Sequence, residues 1–296
     1  MKRIKPFAYF EAETAAEAVG VLAREGDGTH ALSGGTDLLV RMKQGVLAPK
    51  ALVNLKRIPG LDCICAEPGQ GLRIGSLASI AAIERSSLVR KGHPVLAEAA
   101  GELGSPSIRN LGTLGGNIGR ASPASDMAPS MTVLGARVLV EGLKGQRDIA
   151  IDGFFKGPGT TVLSREELII SFLIPEMAAG SGAAYMRLGR RQGMDCCLVG
   201  AAVFVALSEK GGGVKAARVA LAAVAPVPLR AKRAEEVLLS GALTEERMRE
   251  AAKAAAADCF PISDLRAEGS YRKEMVEVLT YRGLEKAVRL AEGGKA

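Results

Sequence analysis

The chain has 296 residues, 48 % of them apolar, with 39 Lys and Arg against 32 Asp and Glu for a formal charge of +7; this composition feeds a sizeable core and excludes intrinsic disorder, and the length suits about two domains. The longest apolar run, near Val199–Leu207, is far short of the ~18 residues a membrane span needs, and Glu11 and Glu13 follow the basic start before any apolar run, which argues against a signal peptide. The mild basic excess admits nucleic acid on charge alone, but with no Trp, 4 Tyr and 7 Phe, base stacking lacks its usual material, and an acidic partner or a phosphorylated cofactor fits at least as well.

Taken in order, Phe7–Glu11 alternates as a short strand. Glu13–Arg24 has helical spacing and ends at Gly26-Asp27-Gly28. A strand at His30–Ser33 stops at Gly34-Gly35, Thr36-Asp37 cap a helix through Met42 that Gly45 closes, and Ala51–Leu55 is again a strand. Strands follow at Leu61–Ala66 and Gly71–Ser76, then helices at Ser79–Val89 and Pro94–Leu103. Gly104–Gly119, rich in Gly, Ser and Asn, reads as a loop, and Ser122–Gly135 is mixed, with Pro123 suited to a first helical turn. Arg137–Glu141, Arg147–Ile151 and Glu167–Ile174 are strands.

A boundary is expected in 176–182, where Ala, Gly and Ser dominate. Beyond it come three antiparallel strands, Ala184–Arg190, Leu198–Leu207 and Val214–Val224, the last two joined through Gly211-Gly212-Gly213. Helices follow at Ala231–Leu239, Glu245–Ala257 and Tyr271–Leu290, so this part forms a separate α+β unit.

Two glycine-rich stretches carry the chemistry: Ser33-Gly34-Gly35-Thr36-Asp37 and Thr113-Leu114-Gly115-Gly116-Asn117. Paired glycines let successive backbone N–H groups converge, because no Cβ blocks the approach, and the first stretch also opens a helix whose N-terminal end favours an anion. Two such nests could clasp the two phosphates of a dinucleotide; either one alone is more often a tight turn. Neither matches the Rossmann G-x-G-x-x-G or the P-loop pattern.

The run from Ala31 to Leu39 (ALSGGTDLL) resembles the first flavin loop of the FAD-binding medium subunits of molybdenum hydroxylases, the xanthine dehydrogenase and aerobic carbon monoxide dehydrogenase family. Ile108–Ile118 (IRNLGTLGGNI), followed by Ala121–Asp126 (ASPASD), resembles the second, and Tyr185–Asp195 resembles the segment that opens the family's C-terminal domain. The resemblance covers nearly the whole chain. It implies an α+β fold: a two-subdomain FAD-binding domain of the vanillyl-alcohol-oxidase/PCMH type over residues 1–176 (subdomains about 1–57 and 58–176), then a three-stranded antiparallel sheet plus three helices over 177–296. It further implies that Ala31, Leu32, Ser33, Gly34, Gly35, Thr36, Asp37 and Leu38 wrap the FAD pyrophosphate, with Thr113, Gly115, Gly116 and Asn117 facing them. Asp126 would accept from cofactor hydroxyls, or else serve as an N-terminal helix charge; Leu103 and Ile169 would lie near the rings, or else pack in the core; Arg187 would approach the flavin ring. A bulky residue at Gly115 or Gly116 is expected to abolish flavin retention with much of the fold intact.

The resemblance also implies partners: a molybdopterin-binding large subunit and a small subunit with [2Fe–2S] clusters, whose electrons pass through FAD to NAD or another acceptor. A stand-alone FAD-dependent oxidoreductase of the same cofactor-binding fold, and a non-enzymatic nucleotide-binding module, are the competing readings. No Ser-His-Asp or Cys-His constellation points to a catalytic residue on this chain, and His30 and His93 lack ligand-like companions. Five cysteines without a framework or C-x-x-C spacing fit a reducing, cytoplasmic setting, with buried structural thiols at all five and no metal site.

Overall fold

The computed structural model describes residues 4–208 and 213–294. Its first sheet is small and parallel. Strands β1 (Ala8–Glu11) and β2 (Thr29–Leu32) flank the fully buried β3 (Ala51–Asn54), and helices α1 (Ala15–Glu25) and α2 (Leu38–Gln44) make the crossovers. The Thr14 hydroxyl starts α1 by accepting from the Glu17 N–H at 3.1 Å. At Gly45 α2 ends in a left-handed turn, φ 74°, that L side chains rarely adopt. The apolar face of α1 (Ala18, Val19, Leu22) packs on Val53, Leu55 and Leu168.

The second sheet is antiparallel in the order β4-β5-β10-β6-β7, from β4 (Ile64–Glu67), β5 (Gly71–Gly75), β6 (Arg137–Gly142), β7 (Gly145–Ala150) and β10 (Leu168–Ile174). A hairpin of β8 (Phe155–Gly157) and β9 (Thr160–Thr161) sits outside it. Six short helices lie between β5 and β6: α3 (Ile80–Arg85), α4 (Ser87–Gly92), α5 (Pro94–Glu102), α6 (Pro106–Leu111), α7 (Leu114–Gly119) and α8 (Met127–Val133).

Three local expectations are corrected here. The helix expected over Ser79–Val89 is broken at Ser86, whose hydroxyl caps α4. The stretch expected as a loop holds α6 and α7, started by Ser105 and Thr113 accepting from the N–H groups of Ile108 and Gly116. Pro123 lies ahead of α8; the proline inside its first turn is Pro129.

The remaining sheet is β11 (Ser181–Leu188), β12 (Val199–Leu207), β13 (Val214–Ala222) and the two-residue β14 (Leu229–Arg230), in that order and antiparallel. It therefore has four strands where three were expected; β14 is too short to show alternation. In the expected β12–β13 turn, Gly211 and Gly212 lie outside the described residues. Helices α9 (Lys232–Leu239), α10 (Glu245–Asp258) and α11 (Gly269–Ala291) complete the chain.

The long apolar run of β12 has a direct cause. Ala201, Val203 and Val205 face a core shared with α9–α11, whereas Ala202, Phe204 and Ala206 face a second core shared with α5, α8 and the five-stranded sheet. A strand buried on both faces needs apolar residues at every position. Among the described residues, no helix is long and apolar enough to cross a membrane.

Candidate functional site

Between the first sheet and the helices after β5 lies a cavity of about 540 Å³. That volume lies in the range of small-molecule and cofactor sites. Its walls bring together most of the residues singled out from the sequence: Ala31, Ser33, Gly34, Gly35, Thr36, Asp37 and Leu38 on one side, Thr113, Gly115, Gly116 and Asn117 on the other, with Leu103 and Ile169 among the apolar lining. Leu32, Asp126 and Arg187 do not line it.

The two stretches touch. The Thr113 hydroxyl donates to Ser33 Oγ at 3.1 Å, and a Cβ on Gly34 would lie 2.0 Å from the Leu111 carbonyl oxygen. Only glycine permits this approach at residue 34.

Their donors differ, which corrects the expectation of twin backbone nests. Among the described residues, the N–H groups of Gly34, Gly35, Thr36 and Asp37 have no hydrogen-bond acceptor. In the second stretch the N–H of Leu114 donates to Ala78 O, Gly115 to Ser76 O, Gly116 to Thr113 Oγ1 and Asn117 to Thr113 O. The Thr113 cap winds that stretch into α7 and uses its donors. The Asn117 side chain is held as well, since its Oδ1 accepts from the Ser125 hydroxyl at 2.6 Å. Gly115 is small because of the fold itself: a Cβ there would lie 2.6 Å from Ser76 O.

Positive charge at the cavity comes from residues the motifs did not reveal. Arg41 and Arg120 both line it and both approach the Asp37 carboxylate, at 3.9 and 2.9 Å. Arg41 stands one turn after Asp37 on α2, a visible i,i+4 spacing. Arg120 follows the second stretch directly. Its Nε is the atom that faces the Asp37 carboxylate, whereas Ser76 Oγ, also on the cavity wall, is shielded from solvent and makes no hydrogen bond. An orphaned polar atom in a protein interior is uncommon, and one on a wall that also carries two guanidiniums fits a polar, anionic ligand. His30 also lines the wall; burial, aided by Arg41, lowers its pKa, so the ring is neutral at pH 7.

Asp126 and Arg187 are found together elsewhere. Both side chains are nearly solvent-free, and Arg187 Nε donates to Asp126 Oδ1 at 2.9 Å. The Tyr185 hydroxyl donates to the same oxygen at 2.9 Å. Burial raises the Asp126 pKa, opposed by the Arg187 charge. Asp126 heads α8 without a side-chain cap bond, at the place where an N-terminal helix charge was the alternative reading. The expectation of five buried thiols is met at Cys197 and Cys259 and corrected at the rest: Cys63 and Cys65 are half-buried and Cys196 is exposed.

Comparison with known proteins meets this geometry. Residues 5–177 match the model of the FAD binding domain in molybdopterin dehydrogenase, and residues 183–287 match the CO dehydrogenase flavoprotein C-terminal domain. The carbon monoxide dehydrogenase medium chain of Hydrogenophaga pseudoflava is 35 % identical over 95 % of this chain and 96 % of its own length. The xanthine dehydrogenase FAD-binding subunit of Escherichia coli O157:H7 is 28 % identical over 97 % of both chains. A solved carbon monoxide dehydrogenase from Hydrogenophaga pseudoflava superposes with a TM-score of 0.93 at 36 % identity, covering 97 % of this chain and 98 % of that one. The chain thus belongs to the family of FAD-binding medium subunits of molybdenum hydroxylases, the group that includes carbon monoxide and xanthine dehydrogenases.

Proposed function

We propose that this subunit holds FAD in the cavity between the two glycine-rich stretches and relays electrons within a three-subunit molybdenum hydroxylase. The observation that carries the reading is the set of unpaired N–H groups from Gly34 to Asp37, with the guanidiniums of Arg41 and Arg120 on the same cavity. Those N–H groups would donate to the diphosphate oxygens, and the guanidiniums would balance their charge. Thr113 would act mainly by fixing Ser33 and by capping α7. Leu103, Ile108 and Ile169 offer apolar surface suited to flat rings. Ala31, Leu38, Gly115, Gly116 and Asn117 would shape the walls, and Leu32 would support Gly35 from behind, where its Cδ1 lies 3.3 Å from the position of a Cβ.

What FAD supplies when bound is the exchange between single-electron and two-electron transfer. The chain's own work is then to bind, orient and limit access, without an acid or base of its own. The partners in this reading are a molybdopterin-binding large subunit and a small subunit with [2Fe–2S] clusters, and the final acceptor is NAD or another carrier. The setting proposed is the cytoplasm. An absorbance spectrum of the purified chain, with mass identification of the released cofactor, tests the first step: FAD is expected. The second test is turnover. The chain alone should be inert toward a hydroxylase substrate, and turnover without partners would favour a stand-alone oxidoreductase.

A further inference from the structure

Ten residues, 189–198, connect β11 to β12, and one of them bonds to the residue beside the cavity wall. The Met194 N–H donates to Gly104 O at 3.0 Å, and Gly104 follows Leu103 on the cavity wall. Met194 itself is in the left-handed region at φ 51°, which a methionine holds only when its surroundings impose it.

The Arg187 guanidinium imposes much of that shape. Its Nη2 donates to Asp195 O at 2.6 Å, while its Nε donates to Asp126 Oδ1. The Asp195 carboxylate in turn accepts from the Arg190 N–H at 2.6 Å, folding the connector on itself. Asp126 is fixed on the other side, since its neighbour Ser125 caps α8 and holds Asn117 on the cavity wall. A buried ion pair is a weak source of stability, because desolvation offsets most of its attraction; its best-attested use is to specify one arrangement of its surroundings.

We propose that Asp126 and Arg187 are positioning residues that clamp the 189–198 connector against the cavity rim at Leu103–Gly104, and so set how far small oxidants reach a bound flavin. The clamp explains why Arg187 is buried away from the cavity lining yet bonded to the connector. It rests on the reading that the cavity holds FAD.

The test compares the wild-type chain with Arg187→Lys, which keeps the charge but cannot span both acceptors, and with Asp126→Asn, which keeps the shape. Flavin content is measured first; its absence from the wild type would overturn the FAD reading itself. With flavin bound, trypsin cleavage after Arg190 and Arg191 should quicken about tenfold or more in both variants, as expected for losing a charge-assisted hydrogen bond that keeps the connector closed. Iodide quenching of flavin fluorescence and reoxidation of the photoreduced flavin by dioxygen should rise several-fold in the same variants. Flavin-loaded variants with wild-type cleavage and wild-type quenching would overturn the clamp. Faster cleavage with unchanged quenching would overturn the control of access. If Asp126→Asn does not fold, Arg187→Lys alone decides.

Discussion

At Gly34 a methyl group would lie 2.0 Å from a backbone oxygen of the facing stretch. Gly34→Ala should push the two stretches apart and weaken FAD binding by about tenfold or more, with roughly 1–3 kcal/mol of lost stability from overpacking; flavin titration and urea unfolding measure both. Gly115→Ala should be no less damaging to the fold, because its methyl meets Ser76 O at 2.6 Å rather than a ligand. The expectation that a residue there would spare the fold is thus corrected. Arg41→Ala and Arg120→Ala should each weaken FAD binding by about tenfold or more, the scale of one charge-assisted hydrogen bond, with little change in Tm, since both side chains are about a third exposed (34 % and 36 %). These two arginines were hidden in the sequence for a physical reason. A guanidinium reaches its site from a distance along a flexible stem, so although Arg41 stands at i,i+4 from Asp37 and Arg120 follows the second stretch, neither position alone says which cavity the charge serves.

Elements with strong periodicity were legible: α1, β10, β12, α10 and α11 lie where apolar spacing put them. Elements governed by caps were not. Between Gly104 and Gly119 the Gly, Ser and Asn content suggests a loop, but Ser105 and Thr113 each start a six-residue helix whose stability comes from its cap and its neighbours. Thr113→Val should therefore remove the cap of α7 and the bond to Ser33, costing about 1 kcal/mol in urea unfolding and loosening FAD. A second element is pinned by charge. Asp264 in the α10–α11 connection is held well below the ordinary carboxylate range, chiefly by Arg266, with Arg272 contributing. A depressed carboxyl stabilises the fold fully above its unfolded value of about 4 and loses that contribution as pH falls toward its native value. Asp264→Asn should accordingly lower Tm at pH 7, and the gap to wild type should narrow in scans below pH ~4.

Across the whole molecule, β12 joins two cores. One sheet face serves α9–α11 and the other serves the part that carries the cavity. The Asp126–Arg187 pair and the Glu98–Lys286 bridge, 2.6 Å, add polar ties between those parts. This arrangement explains how much of the candidate site could be read in advance. The glycine pairs and the flanking Ser33 and Thr113 stand together as the motifs indicate, because close backbone approach leaves a local mark in the sequence. The division of labour between the two stretches, donors free in one and spent in the other, depends on Ser76 and Ala78 from a distant strand end, and no local pattern records it. The most direct measurement is titration of the purified, cofactor-stripped chain with FAD, read by flavin absorbance, in the wild type and in Gly34→Ala and Arg120→Ala. The account predicts saturation at one FAD per wild-type chain and clearly weaker binding in both variants. A wild-type chain that takes up no FAD, or variants that bind it as tightly, would contradict it.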